Sequence, residues 1–335
     1  MLVYNGQIPG PTIAVCEGDD VVVNLTNKLT GSEYLLGAPW TENGQGITYL
    51  LSDIPFNSTT LHFHGIREKQ PPGSGGSSPG GPWSDGVPMV SQCPVLSGDS
   101  FTYRFLGSGG ISSAYNNAPA GTYWYHSHMG RQRTNGAEGK LIIMPRTTSN
   151  KYDVDLPENS LFLQEWYSDT VDGTPQSILV NGKGKLHKTT TKILCEGGNN
   201  CETKYKEGKF VEFETVSNPY YRENNQPDYE VFNITEPGKY RFRIIGGIGD
   251  NVPIRVSVEN HTFSAIAADS VDIKPLEDLD ALWVSAGERF DIVVDLLPTT
   301  GSEPLKMNIF HGTTSQAGAK ITICSLAWLK YPHQP

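Results

Sequence analysis

The sequence predicts an all-β protein made of β-sandwich or barrel domains. Short runs with period-two alternation are rich in β-branched and aromatic residues, among them DVVVNLTN and GTYWYHSH early in the chain and KYRFRII and ERFDIVVDLL later. Glycine and proline, 36 and 23 of the 335 residues, interrupt nearly all of these runs. No long window carries apolar residues at helical spacing, although PLEDLDAL would allow one short helical turn. Many short strands separated by turn signals are typical of sandwiches and barrels.

The length predicts two domains of ordinary size, each able to bury its own core. The strand pattern breaks within MPRTTSNKYDVDLPENS, residues 144–160, where the boundary is expected. We therefore predict one domain over residues 1–147 and a second over residues 158–331.

Charge and hydropathy exclude several classes of protein. The formal net charge is −10 and the few basic residues are scattered, which argues against a nucleic-acid-binding surface. No apolar run approaches the roughly 18 residues that span a bilayer. The opening MLVYNGQIPGPTIAV has no basic region followed by an apolar one, so no signal peptide is present in this chain. It starts as if inside a strand, and we expect the native protein to extend before it.

Cysteines and glycosylation sequons together indicate an oxidising, extracellular setting. No cysteine lies in a C-x-x-C motif. The candidate disulfides are Cys16–Cys93 and Cys195–Cys201, which would leave Cys324 unpaired; the alternative is that some of these are buried free thiols. Four N-x-S/T sequons occur, at Asn24, Asn57, Asn233 and Asn260.

Two His-x-His pairs carry the main chemical signal. LHFHG contains His62 and His64, and GTYWYHSH contains His126 and His128. Eight histidines distributed at random would give only about 0.2 such pairs. Residues i and i+2 of a strand share one face, about 6–7 Å apart, so four imidazoles converge if the two strands are neighbours. The alternative is two structural pairs, hydrogen-bonded and half-buried.

Converging imidazoles predict a metal site. Neutral imidazole suits copper, zinc, iron or nickel, and the lack of a clear carboxylate in the set favours copper or zinc over magnesium or calcium. The remaining histidines have no partner at i+2 or i+4 and are expected to be structural or solvent-exposed: His187, His261, His311 and His333.

Ordered motifs along the chain resemble the multicopper oxidases, a family that includes laccases, ascorbate oxidases and ferroxidases. NGQIPGPTIAVCEGDDVVVNLTN, TTLHFHGI, WSDGVPMVSQCPV and GTYWYHSHMGRQRTNGAEGKLIIMP resemble the first cupredoxin domain of the family. GKYRFRIIGG, VENHTFSAIAADSVDIKP and AGERFDIVV resemble its second domain. The resemblance implies two tandem cupredoxin-like Greek-key β-sandwich or barrel domains, the second without copper ligands. The VCEGD and QCP cysteines are similar to those of animal laccase-like members, which supports the Cys16–Cys93 pairing.

The resemblance also implies a site. In the family a three-copper cluster between the first and third domains reduces O₂ to water with four electrons. By the motif match, His62 would bind the type 2 copper, and His64, His126 and His128 would bind the type 3 pair. Asp85, in WSDGVP, matches an acidic residue that assists proton delivery, a role consistent with the protons consumed by O₂ reduction. Ser-Asp-Gly is also good turn chemistry, so Asp85 has a structural alternative.

Two motifs of the family's third domain are absent from this sequence. They are H-x-x-H-x-H and H-C-H, which supply the other cluster ligands and the type 1 blue copper. Cys324 lies in TICSL without a neighbouring histidine. We therefore expect half-sites for type 2 and type 3 copper, no type 1 site, and no four-electron O₂ reduction by this chain alone.

Three interpretations follow. The chain is the first two domains of a secreted laccase-like oxidase, which would oxidise phenols, aromatic amines, ascorbate-like reductants or Fe(II) once a third cupredoxin domain is present. Alternatively, it is a genuine two-domain copper-binding or structural protein, completed by a partner chain. A weaker third possibility is superoxide-dismutase-like chemistry at one copper. Third-domain motifs beyond Pro335 would decide for the first, and copper redox cycling without a blue site for the third.

Overall fold

The computed structural model describes residues 2–30, 57–67, 81–106, 119–146, 153–167, 175, 177–184, 189–192, 214–217, 229–249, 253–296, 304–314 and 320–331. These residues form strands and one short 3₁₀ turn, Pro82–Ser84, so the predicted all-β class is confirmed. His187, His333 and the Cys195–Cys201 pair lie outside the described residues. No helix in the described part is long and apolar enough to cross a membrane.

The strands are β1 (Gly10–Cys16), β2 (Asp20–Thr26), β3 (His62–His64), β4 (Ser100–Leu106), β5 (Gly121–His126), β6 (Glu138–Met144), β7 (Ser160–Trp166), β8 (Ser177–Val180), β9 (Thr189–Lys192), β10 (Glu214–Ser217), β11 (Glu230–Asn233), β12 (Gly238–Gly247), β13 (Ile254–Val258), β14 (Phe263–Ala268), β15 (Val271–Leu279), β16 (Leu282–Val284), β17 (Arg289–Leu296), β18 (Leu305–Thr314) and β19 (Lys320–Lys330).

Strands β1–β6, the first strand group, form a four-stranded sheet in the order β1-β6-β5-β3 and a separate β2–β4 pair. β2 alternates buried and exposed residues, as expected of a strand that is covered on one face. Aromatic and aliphatic side chains from both sheets meet in one core, which includes Val21, Phe63, Tyr103, Phe105 and Leu141. This packing is that of a β-sandwich.

Strands β7–β19, the second strand group, form two larger sheets. One has the order β15-β14-β17-β12-β7-β8, and the other has the order β10-β9-β19-β18-β13-β16 with β11 added beside β19. Their facing side chains build a second core that includes Phe242, Ile244, Val256, Ile292 and Ile309, all fully buried. Each strand group therefore has a hydrophobic core of its own.

The two strand groups meet along β5 and β6, at a surface we call the junction. Trp124 and Ile142 pack there against Phe162 and Ile245 of the second strand group. All six residues of β5 are buried, because the junction covers the strand face that the first core does not. The histidine-bearing strand β5 is thus held from both sides.

The predicted Cys16–Cys93 disulfide is not formed: both cysteines are free and exposed. Cys16 ends β1, an edge strand of the four-stranded sheet. Cys93 lies just before Val95, which pairs with Thr59 near β3 at the opposite edge. A disulfide needs Cα atoms within about 7 Å, and this placement, with β6 and β5 between the two edges, accounts for the unpaired thiols.

Candidate metal centre

The two His-x-His pairs come together on neighbouring strands. β3 and β5 pair antiparallel, with His62 opposite His126 and His64 opposite Trp124. Since side chains alternate along a strand, His62, His64 and His126 project from the same face, while Phe63 points to the first core. His128 follows two residues after His126, just beyond the end of β5.

The four side chains form a compact group, which we call the histidine cluster. One nitrogen from each of His62, His64 and His126 lies within 4.8 Å of the others. The ring of His62 is central, with its centroid 5.7 Å from that of His64, 5.2 Å from that of His126 and 5.6 Å from that of His128. This is the spacing of side chains that can share bound metal ions.

Asp85 orients the ring of His62. Nδ1 of His62 lies 2.5 Å from the backbone carbonyl oxygen of Asp85 and 3.2 Å from its carboxylate Oδ1. A carbonyl only accepts, so Nδ1 carries the proton and Nε2 carries the lone pair, which is the tautomer that binds metal. Gly86, with φ +84°, brings this segment close to β3, since a Cβ there would clash with the Leu61 carbonyl oxygen. Asp85 therefore terminates the 3₁₀ turn and also contacts the cluster.

The second pair is held by a buried hydrogen-bond network. Nδ1 of His126 lies 2.8 Å from the carbonyl oxygen of Ser127, which again leaves the lone pair on Nε2. Gln132, fully buried, accepts from the Ser127 and Thr59 hydroxyls at 2.6 and 2.7 Å and donates to the Ser58 carbonyl oxygen at 2.7 Å. These bonds tie the segment after β5 to the one before β3, so the two pairs keep a fixed relation.

Burial favours the neutral form of three of the four imidazoles, those of His64, His126 and His128. It lowers the pKa of His64 to about 3, with smaller contributions from the charges of Arg289 and His62. It likewise lowers the pKa of His126 well below its ordinary value, and the pKa of His128 in the same direction. Neutral imidazoles at physiological pH are the form in which histidine coordinates metals.

Sequence reasoning missed two side chains beside the cluster. The Trp124 ring, fully buried, stacks on His64 with centroids 5.0 Å apart and lies 4.3 Å from His126. The guanidinium carbon of Arg133 lies over the Trp124 ring, 5.9 Å from its centroid. Trp124 lies two residues before His126, so alternation along β5 was a usable signal for it; Arg133 had none.

The second strand group also reaches the cluster. A Cβ placed on Gly287, in the turn before β17, would lie 2.9 Å from Cε1 of His64. Arg289, which begins β17, donates through Nε to the carbonyl oxygen of Thr122 on β5 at 3.2 Å. No local pattern in the sequence connects these residues with His64, because the contact depends on how the strand groups pack.

This donor set fits copper. It consists of four imidazoles, and Nδ1 of two of them, His62 and His126, contacts a backbone carbonyl oxygen, as is usual for histidine ligands of metals. Imidazole donors without a coordinating carboxylate suit copper or zinc rather than magnesium or calcium. Asp85 contacts Nδ1 of His62, the nitrogen that carries the proton, and is therefore placed to orient a ligand.

Comparison with known families gives one consistent result. A family model described as multicopper oxidase matches residues 1–36 and 53–148, and a second model with the same description matches residues 152–331. Together they cover nearly the whole chain.

Individual relatives and solved structures agree with that result. The chain is 31% identical to Laccase-24 of Oryza sativa subsp. japonica, over 89% of this chain and 40% of the relative. It is 29% identical to L-ascorbate oxidase of Cucumis sativus, over 90% of this chain and 42% of that protein. It thus spans less than half the length of these relatives.

Among solved structures, Fet3p, a multicopper oxidase that functions in iron import, shares the fold with a TM-score of 0.63 at 20% identity, over 98% of this chain and 48% of that one. The laccase of Botrytis aclada gives a TM-score of 0.57 at 26% identity, over 98% of this chain and 48% of that one. With both family models matched and laccases and an ascorbate oxidase among its relatives, the chain belongs to the multicopper oxidases.

Proposed function

We propose that this chain is the two-domain portion of a laccase-like multicopper oxidase and contributes half of the ligands of its O₂-reducing trinuclear cluster. The observation that carries this proposal is the convergence of four imidazoles from β3, β5 and the segment after β5. The family implies copper, and the imidazoles oriented by backbone carbonyls support it. The two hydrophobic cores support the division into domains over residues 1–147 and 158–331.

The motif match assigns His62 to the type 2 copper and His64, His126 and His128 to the type 3 pair. Copper bound there, with its remaining ligands, supplies the four-electron reduction of O₂ to water. The protein presents Nε2 of His62 and of His126 by engaging each Nδ1 with a carbonyl oxygen. The buried Trp124 ring covers the rings of His64 and His126 and limits access of bulk water to these two imidazoles.

Asp85 is proposed to handle protons at this site. Its carboxylate Oδ1 lies 3.2 Å from Nδ1 of His62, while its side chain remains 38% exposed. A carboxylate that contacts both a ligand and solvent can pass protons inward, as O₂ reduction requires. Its backbone carbonyl orients His62 at the same time, so the turn role and the chemical role coexist in one residue.

The remaining cluster ligands and the type 1 copper are proposed to come from a third cupredoxin domain or from a partner chain. The sequence contains neither H-x-x-H-x-H nor H-C-H, the motifs that supply them in the family. The completed enzyme would take O₂ and a small reductant such as a phenol, an aromatic amine or Fe(II). Without that domain or partner, this chain would bind copper without reducing O₂.

We further propose an extracellular glycoprotein. Three of the four sequon asparagines, Asn24, Asn233 and Asn260, are exposed, and Asn57 is half-buried. Removal of N-glycans from the native protein should lower its mass. A mass unchanged by that treatment would contradict glycosylation.

The decisive experiment is a Cu(II) titration of the full chain, with bound metal counted after gel filtration. The wild type should retain copper, and His64→Ala or His126→Ala should reduce it to background. His261→Ala is the matched control, because Nδ1 of His261 also contacts a backbone carbonyl, that of Glu259, but in the second strand group. Stoichiometric copper in both cluster variants would overturn the site.

The intact mass of the deglycosylated native protein tests the wider proposal. A mass well above 36.7 kDa, together with an intense blue absorption, would support an oxidase completed within one polypeptide. A mass near 36.7 kDa, with no partner chain in the native complex, would contradict completion of the site by a third domain or by another chain.

A further inference from the structure

The turn between β16 and β17, Ser285–Glu288, places a glycine directly against His64. The Glu288 N–H donates to the Ser285 carbonyl oxygen at 3.2 Å, and Gly287 is the third residue of the turn, with φ +81°. A Cβ on Gly287 would lie 2.9 Å from Cε1 and 3.3 Å from Nε2 of His64. The backbone of the second strand group therefore lies against the ring edge between the two nitrogens.

Hydrogen bonds hold the turn in this position. The Gly287 N–H donates to the Gly246 carbonyl oxygen at 2.8 Å, and the Gly246 N–H donates to the Glu288 carbonyl oxygen at 2.9 Å. Arg289 Nη1 donates to the Gly287 carbonyl oxygen at 2.9 Å. The turn is thus anchored to β12 on one side and to the Arg289 guanidinium on the other.

Arg289 connects the turn to both histidine-bearing strands. Its Nε donates to Thr122 on β5 at 3.2 Å, and its guanidinium occupies the space that a side chain at Gly65, the residue after His64, would need. Its side chain is 5% exposed and pairs with Asp269 at 3.0 Å, which balances its charge. Arg289 therefore fixes the turn relative to β3 and β5 simultaneously.

One face of the His64 ring is covered by Trp124. The two rings stack with centroids 5.0 Å apart and planes 25° from parallel. The imidazole is confined by an indole on its face and by the Gly287 backbone at its edge. Groups that fix a histidine ligand's orientation change metal affinity about 10- to 100-fold when they are altered.

We propose that Gly287 and Arg289 are positioning residues for the copper centre: they fix the direction in which the His64 imidazole points. This inference rests on the proposed copper-binding function for its consequence, but the ring position itself can be observed without metal. It assigns the second strand group, which supplies no residue to the histidine cluster, a part in shaping the site.

The chain contains a matched control for Gly287. In the turn Leu96–Asp99, the Asp99 N–H donates to the Leu96 carbonyl oxygen at 3.0 Å, and Gly98 is the third residue, with φ +87°. The Gly98 N–H donates to the Asn27 carbonyl oxygen at 2.8 Å, yet a Cβ on Gly98 would meet nothing within 4 Å. Gly98→Ala therefore has the same backbone strain as Gly287→Ala without the contact to His64.

The first measurement is the His64 Cε1–H resonance in metal-free, isotope-labelled protein, assigned by its loss in His64→Gln. Gly287→Ala should shift this resonance more than that of any other histidine, and Gly98→Ala should leave it in place. Arg289→Lys, which keeps the charge but loses the forked donor geometry, should shift it too and serves if Gly287→Ala does not fold.

The second measurement is a Cu(II) titration with a competing chelator, combined with electron paramagnetic resonance of the bound ion. Gly287→Ala should weaken binding about 10- to 100-fold and alter the spectrum, while Gly98→Ala stays within about twofold of the wild type. An unmoved His64 resonance in both Gly287→Ala and Arg289→Lys overturns the positioning role. A wild type that binds no Cu(II) overturns the proposed function instead, and the resonance still decides the positioning role.

Discussion

The first strand group carries the histidine cluster and the second strand group supplies none of its members, although each packs sheets around its own buried core. A pair of short edge strands illustrates the difference. β3, His62–His64, ends its sheet and presents two imidazoles, whereas β16, Leu282–Val284, ends its sheet with Trp283 exposed to solvent. The turn after β16 nevertheless reaches His64. A donor set can thus belong to one strand group while its geometry depends on both.

The largest effect is expected from truncating one core aromatic in each strand group. Phe63 and Phe242 are 1% and 0% exposed, and each packs on neighbouring rings, Phe63 on Phe105 at 4.8 Å and Phe242 on Phe232 at 5.5 Å. Either change to alanine should cost about 3–5 kcal/mol of unfolding free energy. Only Phe63→Ala should also weaken Cu(II) binding, because Phe63 lies between His62 and His64 on β3.

Scanning calorimetry and copper titration of both variants check this comparison. Each substitution should lower the unfolding temperature of the transition that belongs to its own strand group, since each group has its own core. Equal loss of copper affinity in Phe242→Ala, measured where both variants are folded, would contradict the division between the groups.

The next effect concerns a carboxylate at the junction. Asp291, 1% exposed, accepts from the Thr122 hydroxyl of β5 at 2.6 Å and from Arg241 Nε at 3.1 Å. Asp291→Ala removes the acceptor of Thr122 and leaves Asp155, 3.2 Å from Arg241 and 2.8 Å from Arg243, to balance both guanidinium groups; it should cost about 3 kcal/mol, because one partner of a buried ion pair is removed. Urea unfolding measures it, with Asp291→Asn as the control that keeps an acceptor for Thr122. A loss of unfolding free energy under about 0.5 kcal/mol for the alanine variant would mean that the contacts of Asp291 with Thr122 and Arg241 do not stabilise the junction.

Local signals in the sequence account for the donors but not for their surroundings. The i, i+2 spacing predicted that the members of each histidine pair lie together, and they do, although His128 lies just beyond the end of β5. The β-branched and aromatic runs predicted the strands β3 and β5. The contact between Gly287 and His64 was inaccessible, because it depends on the packing of residues distant in the chain. The Cys16–Cys93 pairing failed for the same reason: the spacing of two cysteines does not reveal where the fold places the end of β1 relative to the segment before Val95.

A pH effect is expected at Lys140, which lies at the junction and donates from Nζ to the Ser160 hydroxyl at 3.0 Å. Burial lowers the pKa of Lys140 from 10.5 to about 8. Between those values the unfolded chain binds more protons than the folded one, so this group makes stability rise with pH from about 8 to about 10.5. Below pH 8 the Lys140 ammonium is charged in both states, and the free-energy cost of burying that charge lowers the stability of the folded protein.

Comparison with Lys140→Met isolates that contribution. The wild type should gain on the order of 1–3 kcal/mol relative to the variant as the pH rises through this interval, because titrations elsewhere are common to both proteins. Urea unfolding at several pH values measures the difference. A difference that stays flat would show that the Lys140 ammonium is as well solvated in the folded protein as in the unfolded chain.

The smallest effect is expected from an aspartate–arginine pair that resembles Asp291–Arg241 in chemistry but not in surroundings. Asp20 on β2 accepts from Arg104 Nε on β4 at 2.9 Å, and the two side chains are 40% and 41% exposed. Water and salt screen such a pair, so Asp20→Asn should change the unfolding free energy by less than about 0.5 kcal/mol and leave copper binding unaltered. Urea unfolding at low and high salt measures it. A loss as large as that of Asp291→Ala would mean that burial does not decide the value of these ion pairs, since the two sites share their donor and acceptor types and differ mainly in exposure.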